Sequence, residues 1–373
     1  MGRELRLLWQ DGWGRMLALW LPLGMLLLLW WIFSAALVRD LPVGLVDLDK
    51  SAMSRQLARQ LDASPALRLA DEYASVAEGS RALRGGEIYA LVVMPAHLER
   101  DARLGTGPRI TAWNNGQFVL IAKVVASALA QVVGTLNGQV GVLQALADGS
   151  ALPGALGQSV PLNGQVTALY NLNSSYAQFL LGAIFPAAWQ ILLTLYGLNA
   201  LAREDRLGLN WGAAGLWPAL GRKFALHWLI GWGWGLVWCV GLYGLLGYPL
   251  QGSPWLLLLA LGLTSGACVA LGMAFYAGIR DAARAVSMAG ALTAPGLAFM
   301  GITFPTVSME SFATFWRALL PISHYADIQV AVTSHGAGLA ELAPQLGVLA
   351  LFWLLLPVTG YSYLKASRKE AAC

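Results

Sequence analysis

The sequence predicts an α-helical polytopic membrane protein with six transmembrane helices, in a 1 + 5 arrangement, and an inserted α/β domain after the first helix. Hydrophobic residues make up 57% of the 373-residue chain and charged residues only 12%, too few to cover a soluble core of this size. Long stretches lack Asp, Glu, Lys and Arg, and about 20 apolar residues cross a hydrocarbon core of roughly 30 Å. The predicted spans are residues 16–38, 176–202, 224–247, 255–279, 284–304 and 343–364.

The N-terminal residues 1–15 are predicted to form a cytoplasmic interfacial helix, because Leu5, Leu8 and Trp9 share one helical face. A frayed extension of the first span is the alternative interpretation. The first span, residues 16–38, is longer than the roughly 7 to 15 apolar residues of a secretory signal peptide. We therefore expect an uncleaved membrane anchor.

Residues 39–170 show a different pattern, in which short apolar strands alternate with amphipathic helices. The alternation predicts a small extracytoplasmic α/β domain with a parallel or mixed sheet. This segment has no cysteine, so no disulfide is expected within it. A long helix from Phe118 to about Leu146 is expected to lead back to the membrane. The predicted strands cover Val43–Leu48, Leu67–Ala70, Tyr89–Met94 and Arg109–Trp113, and the shorter helices cover Ser51–Leu61 and Ser75–Leu83.

The remaining residues, 171–373, are predicted to form transmembrane helices 2 to 6. Residues 224–279 are uncharged, and the glycines and prolines of residues 247–254 split them into a hairpin. Small residues recur every four positions over 262–278, a pattern that favours close helix packing. Residues 305–342 are too polar to span and are predicted to form an outer re-entrant segment.

Metal-binding residue types are sparse in this half of the chain. His324 and Asp327 lie three apart, and we expect an ordinary polar contact there, because two ligands do not make a metal site. Cys239 and Cys268 fall within predicted spans, and Cys373 is the last residue. The sequence therefore predicts no metal site and no redox cofactor.

The distribution of Lys and Arg predicts the orientation of the chain. With the N-terminus inside, the short cytoplasmic segments hold twelve basic residues, and the short outer loops hold only Arg317. Residues 39–170 contain eleven basic and eleven acidic residues, so this domain is nearly neutral. Both termini are thus predicted to be cytoplasmic. The net charge of +4 follows from this topology and gives no reason to expect nucleic-acid binding.

Five short motifs are spread over nearly the whole chain: Arg3–Arg6, Leu41–Asp47, Gly86–Pro95, Arg203–Gly208 and Leu320–Tyr325. In this order they resemble the permease subunits of ABC-2 type ATP-binding cassette exporters, in the branch with a large extracytoplasmic domain after the first helix. The resemblance implies outward transport driven by ATP that a separate cytoplasmic ABC ATPase subunit hydrolyses. It also implies a second permease copy or homologue as partner, a bacterial inner-membrane location and, in a Gram-negative cell, a periplasmic adaptor.

The chain lacks the residues that would let it draw energy for transport from bound ATP or from an ion gradient. The chain has no Gly-x-x-x-x-Gly-Lys-Ser/Thr loop to hold nucleotide phosphates, so we expect a transport subunit without its own ATPase site or cofactor. The predicted spans contain no Asp or Glu, which a proton- or sodium-driven transporter would need. Both observations favour a permease driven by a separate ATPase over a secondary transporter.

Two candidate sites lie on the second span and its cytoplasmic continuation. The charge run after the span predicts a coupling helix for the ATPase, and the alternative is that it only marks the membrane boundary. Because exposed ion pairs contribute only about 0–1 kcal/mol, loss of these charges is expected to leave the fold intact. Polar residues within the span are candidates for a translocation path, and hydrogen bonding between helices is the alternative. The coupling candidates are Arg203, Glu204, Asp205, Arg206 and Gly208, and the path candidates are Gln178, Gln190, Thr194 and Asn199.

Two other functional classes stay open at this point. A membrane-anchored sensor or signalling protein could carry an extracytoplasmic α/β domain, although five closely spaced spans exceed what signalling needs. A membrane-embedded enzyme would need clustered intramembrane His, Asp or Glu, and only His227 lies in a predicted span. Drugs, lipids and glycans are all compatible substrates, and so are a homodimer and a heterodimer.

Overall fold

The computed structural model describes residues 2–33, 39–104, 106–115, 119–147, 175–208 and 215–370. The chain divides into two compact units, a helical unit of residues 1–34 and 178–373 and an α/β unit of residues 35–177. Among the described residues, six helices are long and apolar enough to span a membrane. The predicted fold class, a polytopic helical membrane protein with an inserted α/β domain, is confirmed.

The helical unit begins with two consecutive helices, α1 (Gly2–Gln10) and α2 (Gly12–Phe33). Asp11 separates them in an extended conformation. Helix α1 is amphipathic, with Glu4 and Leu8 buried on one side while most of its other side chains are exposed. Its buried face therefore includes a carboxylate, which needs a partner within the fold.

The α/β unit contains a four-stranded mixed sheet in the order β2–β1–β3–β4. Strand β1 is parallel to both β2 and β3, because helical crossovers connect these strands, and β4 is antiparallel to β3. The elements are β1 (Leu41–Asp47), α3 (Ala52–Asp62), β2 (Leu67–Glu72), α4 (Val76–Gly85), β3 (Ala90–Met94), α5 (Leu98–Arg103), β4 (Thr111–Asn114) and α6 (Val119–Ala147).

Helix α6 supplies one of the six helices of spanning length, but it also packs within the α/β unit. Val125, Ala128, Val132 and Leu136 recur on one helical face and are buried in the same core as the sheet residues. Helix α4 packs on the opposite face of the sheet. The long helix predicted from the sequence is therefore a structural part of this unit, and residues 148–174, through which it was expected to reach the membrane, lie outside the described residues.

Acidic side chains close the turns that follow the parallel strands β1 and β3. Asp47 Oδ1 accepts hydrogen bonds from the backbone N–H groups of Asp49 and Lys50, at 3.0 and 2.9 Å. Asp49 Oδ2 accepts from the Glu99 N–H at 3.1 Å, and Glu99 Oε2 accepts from the Ala52 N–H at 3.1 Å. Asp47 therefore caps its own turn, whereas Asp49 and Glu99 connect the turn after β1 to the turn after β3.

The helical unit continues with α7 (Tyr176–Arg206), α8 (Leu216–Leu245) and α9 (Pro254–Ile279). Helix α9 is the most buried of the candidate spans. Where it crosses α7, a Cβ built on Gly272 would lie 1.9 Å from the Thr194 carbonyl oxygen, and one on Gly197 would lie 2.3 Å from that of Val269. Only glycine fits at this crossing, and Gly272 lies outside the four-residue repeat seen in the sequence.

The predicted fifth span, residues 284–304, differs in the structure. It consists of α10 (Ala282–Thr293) and the short α11 (Gly296–Phe299). The break lies at Pro295, whose ring and missing N–H interrupt a helix. A single membrane-spanning helix over 284–304 is therefore not formed.

The last part of the unit contains α12 (Ser311–Ala318), α13 (Pro321–Val330) and a helix α14, which comprises Leu339–Leu351, a short 3₁₀ turn and Leu355–Glu370. Helices α12 and α13 occupy much of the segment predicted to be re-entrant, and each is too short to span a membrane. The apolar part of α14, Leu339–Lys365, includes the predicted sixth span.

Candidate functional site

A buried ion network joins the N-terminal helix to the end of α7 and the start of α8. Lys223 Nζ lies 2.7 Å from both Glu4 Oε2 and Glu204 Oε2, so one ammonium group bridges carboxylates from two other helices. Arg3 completes the group, with Nη2 at 2.5 Å from Glu204 Oε1 and Nη1 at 3.2 Å from Glu4 Oε1. Residues up to 219 positions apart in sequence therefore meet at one point.

The charged groups at the centre of this network are almost fully removed from solvent. Glu4, Arg203, Glu204 and Lys223 are exposed by 3%, 1%, 1% and 0%. A buried charge is costly unless opposite charges and hydrogen bonds surround it. The hydrogen-bonded pairing of Glu4 and Glu204 with Lys223 and Arg3 meets this condition and fixes how α1 sits against α7 and α8.

Asp11, at the junction of α1 and α2, extends the network along α7. Its Oδ2 accepts a hydrogen bond from Asn199 Nδ2 at 2.8 Å, and its Oδ1 lies 3.6 Å from Arg206 Nη2. Asn199 Oδ1 in turn accepts from Arg206 at 3.0 Å. Gly14 permits this approach, because a Cβ there would lie 2.9 Å from Asp11 Oδ2 and 3.4 Å from Arg203 Nη1.

Arg203 is the least satisfied member of the network. Its nearest carboxylate oxygens belong to Glu4 and Asp11, at 3.8 and 3.9 Å, which is beyond hydrogen-bond distance. Its side-chain nitrogens have no hydrogen-bond partner among the described residues, and the same holds for Tyr196 Oη and His227 Nε2. This part of the buried cluster is therefore held by charge attraction and packing instead of by direct hydrogen bonds.

Asp205 belongs to a second, half-exposed cluster on the neighbouring side of α7. Its Oδ2 accepts hydrogen bonds from the Tyr276 hydroxyl at 2.9 Å and from Arg280 Nη1 at 3.1 Å. The Arg280 guanidinium also lies 4.0 Å above the ring of Tyr363 in α14. Asp205 thus connects α7 to the ends of α9 and α14 at the surface.

The coupling candidates therefore occupy different environments. Arg203 and Glu204 are buried, so the expectation that the whole charge run is exposed is wrong for these two residues. Because removal of one partner leaves a buried charge uncompensated, we now expect their loss to destabilise the fold. A helix places successive side chains about 100° apart, which directs Asp205 and Arg206 elsewhere. Their side chains remain 37% and 46% exposed. Gly208, with a φ of 60°, ends the segment in the left-handed region.

The path candidates make contacts within the helical unit. Gln190 Oε1 accepts a hydrogen bond from the Ile322 N–H at 2.9 Å and so caps the start of α13. Thr194 donates to the Gln190 carbonyl at 2.8 Å, and Asn199 binds Asp11. Gln178 lies half-buried in the first turn of α7. For Gln190 and Asn199, these contacts favour hydrogen bonding between helices over a path-lining role.

His324 and Asp327 point to different partners. His324 Nδ1 lies 2.7 Å from Gln345 Oε1 in α14, whereas Asp327 pairs with Arg317. Across the described residues, no group of three His, Cys, Asp or Glu side chains is arranged to hold a metal ion. The pair is thus engaged in ordinary polar contacts.

Four members of the network were not among the predicted site residues: Arg3, Glu4, Asp11 and Lys223. Two signals were available in the sequence. Glu4 is a carboxylate on the otherwise apolar face of an amphipathic helix, and Lys223 directly precedes the uncharged residues 224–279. Each signal is ordinary alone, since charges commonly flank membrane spans. Their role becomes visible only in the folded chain, where these side chains form one ion network.

Comparison with known protein families matches residues 13–360 to the family described as ABC-2 family transporter protein. The chain belongs to the ABC-2 transporter family. This ABC-2 family chain is accordingly a multi-pass membrane protein and the permease component of an ABC transporter, a class whose members generally lack an ATPase site of their own. Members of the family work with an ATP-binding subunit and often dimerise. A search of curated proteins found no match.

Proposed function

We propose that this chain is the permease subunit of an exporter in a bacterial inner membrane, energised by a separate cytoplasmic ABC ATPase subunit and paired with a second permease copy or a homologue. The permease role is supported by membership of the ABC-2 transporter family. The chain has neither a phosphate-binding loop motif nor acidic residues in its predicted spans, which supports an external source of energy.

The proposed orientation places both termini in the cytoplasm and the α/β unit outside. It is supported by twelve basic residues in the short segments assigned to the inside against one in the short outer loops. In this orientation the ion network and the Asp205 cluster lie on the cytoplasmic side, where an ATPase subunit binds.

Coupling to the ATPase subunit involves two parts of the α7 end: exposed charges that contact the subunit, and the buried ion network that connects α7 to α1 and α8. Asp205, Arg206 and Arg280 are partly exposed and supply charges to the ATPase surface. Arg203 and Glu204 act as positioning residues, because their side chains bind the network and cannot reach a partner. Lys223 of α8 binds Glu204 directly, and Glu4 of α1 binds the same ammonium group of Lys223. A displacement of the α7 end then moves α1 and α8 with it.

The α/β unit serves as a docking surface or gate for an extracytoplasmic partner such as a periplasmic adaptor. Its near balance of eleven basic and eleven acidic residues argues against electrostatic capture of a highly charged substrate. Replacement of residues 39–170 by a short linker should abolish export across the envelope while binding of the ATPase subunit is retained. Normal export by that variant would exclude this role.

The proposed function is tested by co-expressing the chain with candidate ABC ATPase subunits from the same genome and isolating the membrane complex. The complex should hydrolyse ATP and transport substrate, and the purified chain alone should do neither. ATP hydrolysis by the isolated chain, or export driven by a proton gradient without any ATPase subunit, would contradict it.

A further inference from the structure

An apolar cavity of about 260 Å³ lies between α1, α2 and α8. Its walls are formed mainly by Leu8, Trp9, Leu19, Ile230 and Trp234, with Arg15 as the charged residue beside them. The Trp234 indole N–H is already bound to the Ala18 carbonyl oxygen at 2.8 Å, so this tryptophan presents its apolar ring surface to the cavity. The cavity therefore suits a hydrocarbon chain.

Arg15 gives the cavity its charge. It is exposed, and its side chain has no hydrogen bond or ion pair within the described part of the chain. The nearest acidic residue in sequence, Asp11, is engaged by Asn199 and the arginines of α7. A guanidinium without a carboxylate partner, at the edge of an apolar cavity, is complementary to a phosphate that is linked to hydrocarbon.

The position of the cavity fits the membrane interface. Trp9 and Trp13 are 57% and 65% exposed on either side of the α1–α2 junction, and tryptophan is enriched at the level of lipid headgroups. An amphipathic helix such as α1 lies in the same plane, with its apolar face towards the acyl chains. A lipid standing beside α2 would thus bring its phosphate to the height of Arg15.

We propose that this cavity is a specific site for one anionic glycerophospholipid, with an acyl chain between α1, α2 and α8 and the phosphate on Arg15. A water-soluble anion would leave the apolar walls uncovered, and a neutral hydrocarbon would leave Arg15 without a counter-charge. The lipid would contact α1 at Leu8 and Trp9, next to the face that carries its buried Glu4. This inference depends on membrane embedding and not on the proposed ATPase coupling.

The test is native mass spectrometry of the delipidated full-length protein during titration with phosphatidylglycerol, compared with diacylglycerol of the same chains. Arg15→Gln removes the proposed phosphate contact, and Ala18→Phe fills the cavity, because Ala18 also lines it. Arg284→Gln is the matched control, because it removes an exposed arginine that does not line the cavity. Glycerol 3-phosphate serves as a competitor without a hydrocarbon chain.

Wild-type protein and Arg284→Gln should bind one phosphatidylglycerol in preference to diacylglycerol. Arg15→Gln should bind it about fivefold more weakly, as expected for one arginine beside an anionic lipid surface, and lose the preference. Ala18→Phe should lose the site, and glycerol 3-phosphate should not compete. Unchanged affinity in Arg15→Gln, or effective competition by glycerol 3-phosphate, would overturn the proposal even if Ala18→Phe fails to fold.

Discussion

Carboxylates bind different kinds of groups in the two units of this protein. In the helical unit, Glu4 and Glu204 are buried and bind cations from distant parts of the chain. In the α/β unit, Asp49 and Glu99 accept hydrogen bonds from backbone N–H groups of neighbouring turns. The first arrangement joins helices, whereas the second closes turns around a sheet that the apolar core already holds together.

The two environments predict different contributions of each carboxylate to stability. A buried ion pair that loses one partner leaves an uncompensated charge, at a cost of about 3–5 kcal/mol. A turn carboxylate near solvent can be replaced by water as a hydrogen-bond acceptor for the exposed N–H group, so its loss is smaller. Substitutions in the two units should therefore fall into separate ranges of stability.

Glu204→Ala should produce the largest effect. It leaves Lys223 with Glu4 as its remaining carboxylate in a buried site and removes a partner of Arg3. We expect a loss of about 3–5 kcal/mol in unfolding free energy, measured by denaturant titration of the purified protein in detergent. Asp205→Ala, one residue along the chain, is the control. Equal stability of the two variants would show that the buried network does not hold the helices together.

Gly14→Ala should produce an intermediate effect. The new Cβ would lie 2.9 Å from Asp11 Oδ2, so the carboxylate has to move away from its partners. Since crowding of a packed site typically costs about 1–3 kcal/mol, we expect a loss near the lower end of that range. Gly12→Ala is the matched control, because a Cβ at Gly12 has nothing within 4 Å. Indistinguishable melting temperatures would contradict the packing described at Asp11.

Asp205→Asn should change stability little and coupling more. Its partners Tyr276 and Arg280 lie at a half-exposed site, where an ion pair contributes about 0–1 kcal/mol. Charges that a partner desolvates contribute more, so ATPase stimulation in the assembled complex should fall clearly while the melting temperature stays nearly constant. A complex of Asp205→Asn with wild-type ATPase stimulation would assign this cluster a purely structural role.

The smallest expected effect is that of acidification on the turns of the α/β unit. Burial favours a raised pKa for Asp49, but hydrogen bonds from Ser51 and the Glu99 N–H outweigh it and lower the pKa below its ordinary value. The Met53 N–H, with Arg103 nearby, likewise lowers the pKa of Glu99. A lowered pKa in the folded state stabilises the fold above the ordinary carboxylate pKa, and this stabilisation is lost as pH falls through the lowered value.

The measurement is hydrogen exchange of the Ala52 and Met53 amides between about pH 6 and pH 3, corrected for intrinsic exchange. Protection should fall towards the acidic end in wild-type protein. Glu99→Gln should already show the weaker protection at neutral pH and little further change. Protection that rises on acidification would contradict the sign of both shifts.

The fold was predictable because its strongest signals are local in sequence. Missing charges marked the long helices, and alternation of strands and helices marked the mixed sheet. Residues 284–304 do not form the one continuous helix that their hydropathy predicts, because hydropathy does not register a backbone break, although Pro295 is visible in the sequence. The close crossing at Gly197 and Gly272 was not predictable, since it depends on which glycines face each other across two helices.

The candidate site was only partly predictable for a related reason. A run of four charges, Arg203–Arg206, normally lies in solvent, and it was interpreted that way. The buried half of the run is explained by Glu4 and Lys223, which come from elsewhere in the chain. Pairing across 219 residues leaves no local pattern in a single sequence. By contrast, Asp47 in the α/β unit accepts hydrogen bonds from backbone N–H groups two and three residues further along, a role that follows from its position in a turn.

Glu4 and Lys223 join α1 to α8 through a buried ion pair, and a double-mutant cycle measures the coupling between them. Unfolding free energies would be measured in detergent for wild-type protein, Glu4→Gln, Lys223→Gln and the double variant. The 2.7 Å contact predicts a coupling energy of at least about 1 kcal/mol, because residues in one ionic network are not additive. Additive effects of the two substitutions would contradict the claim.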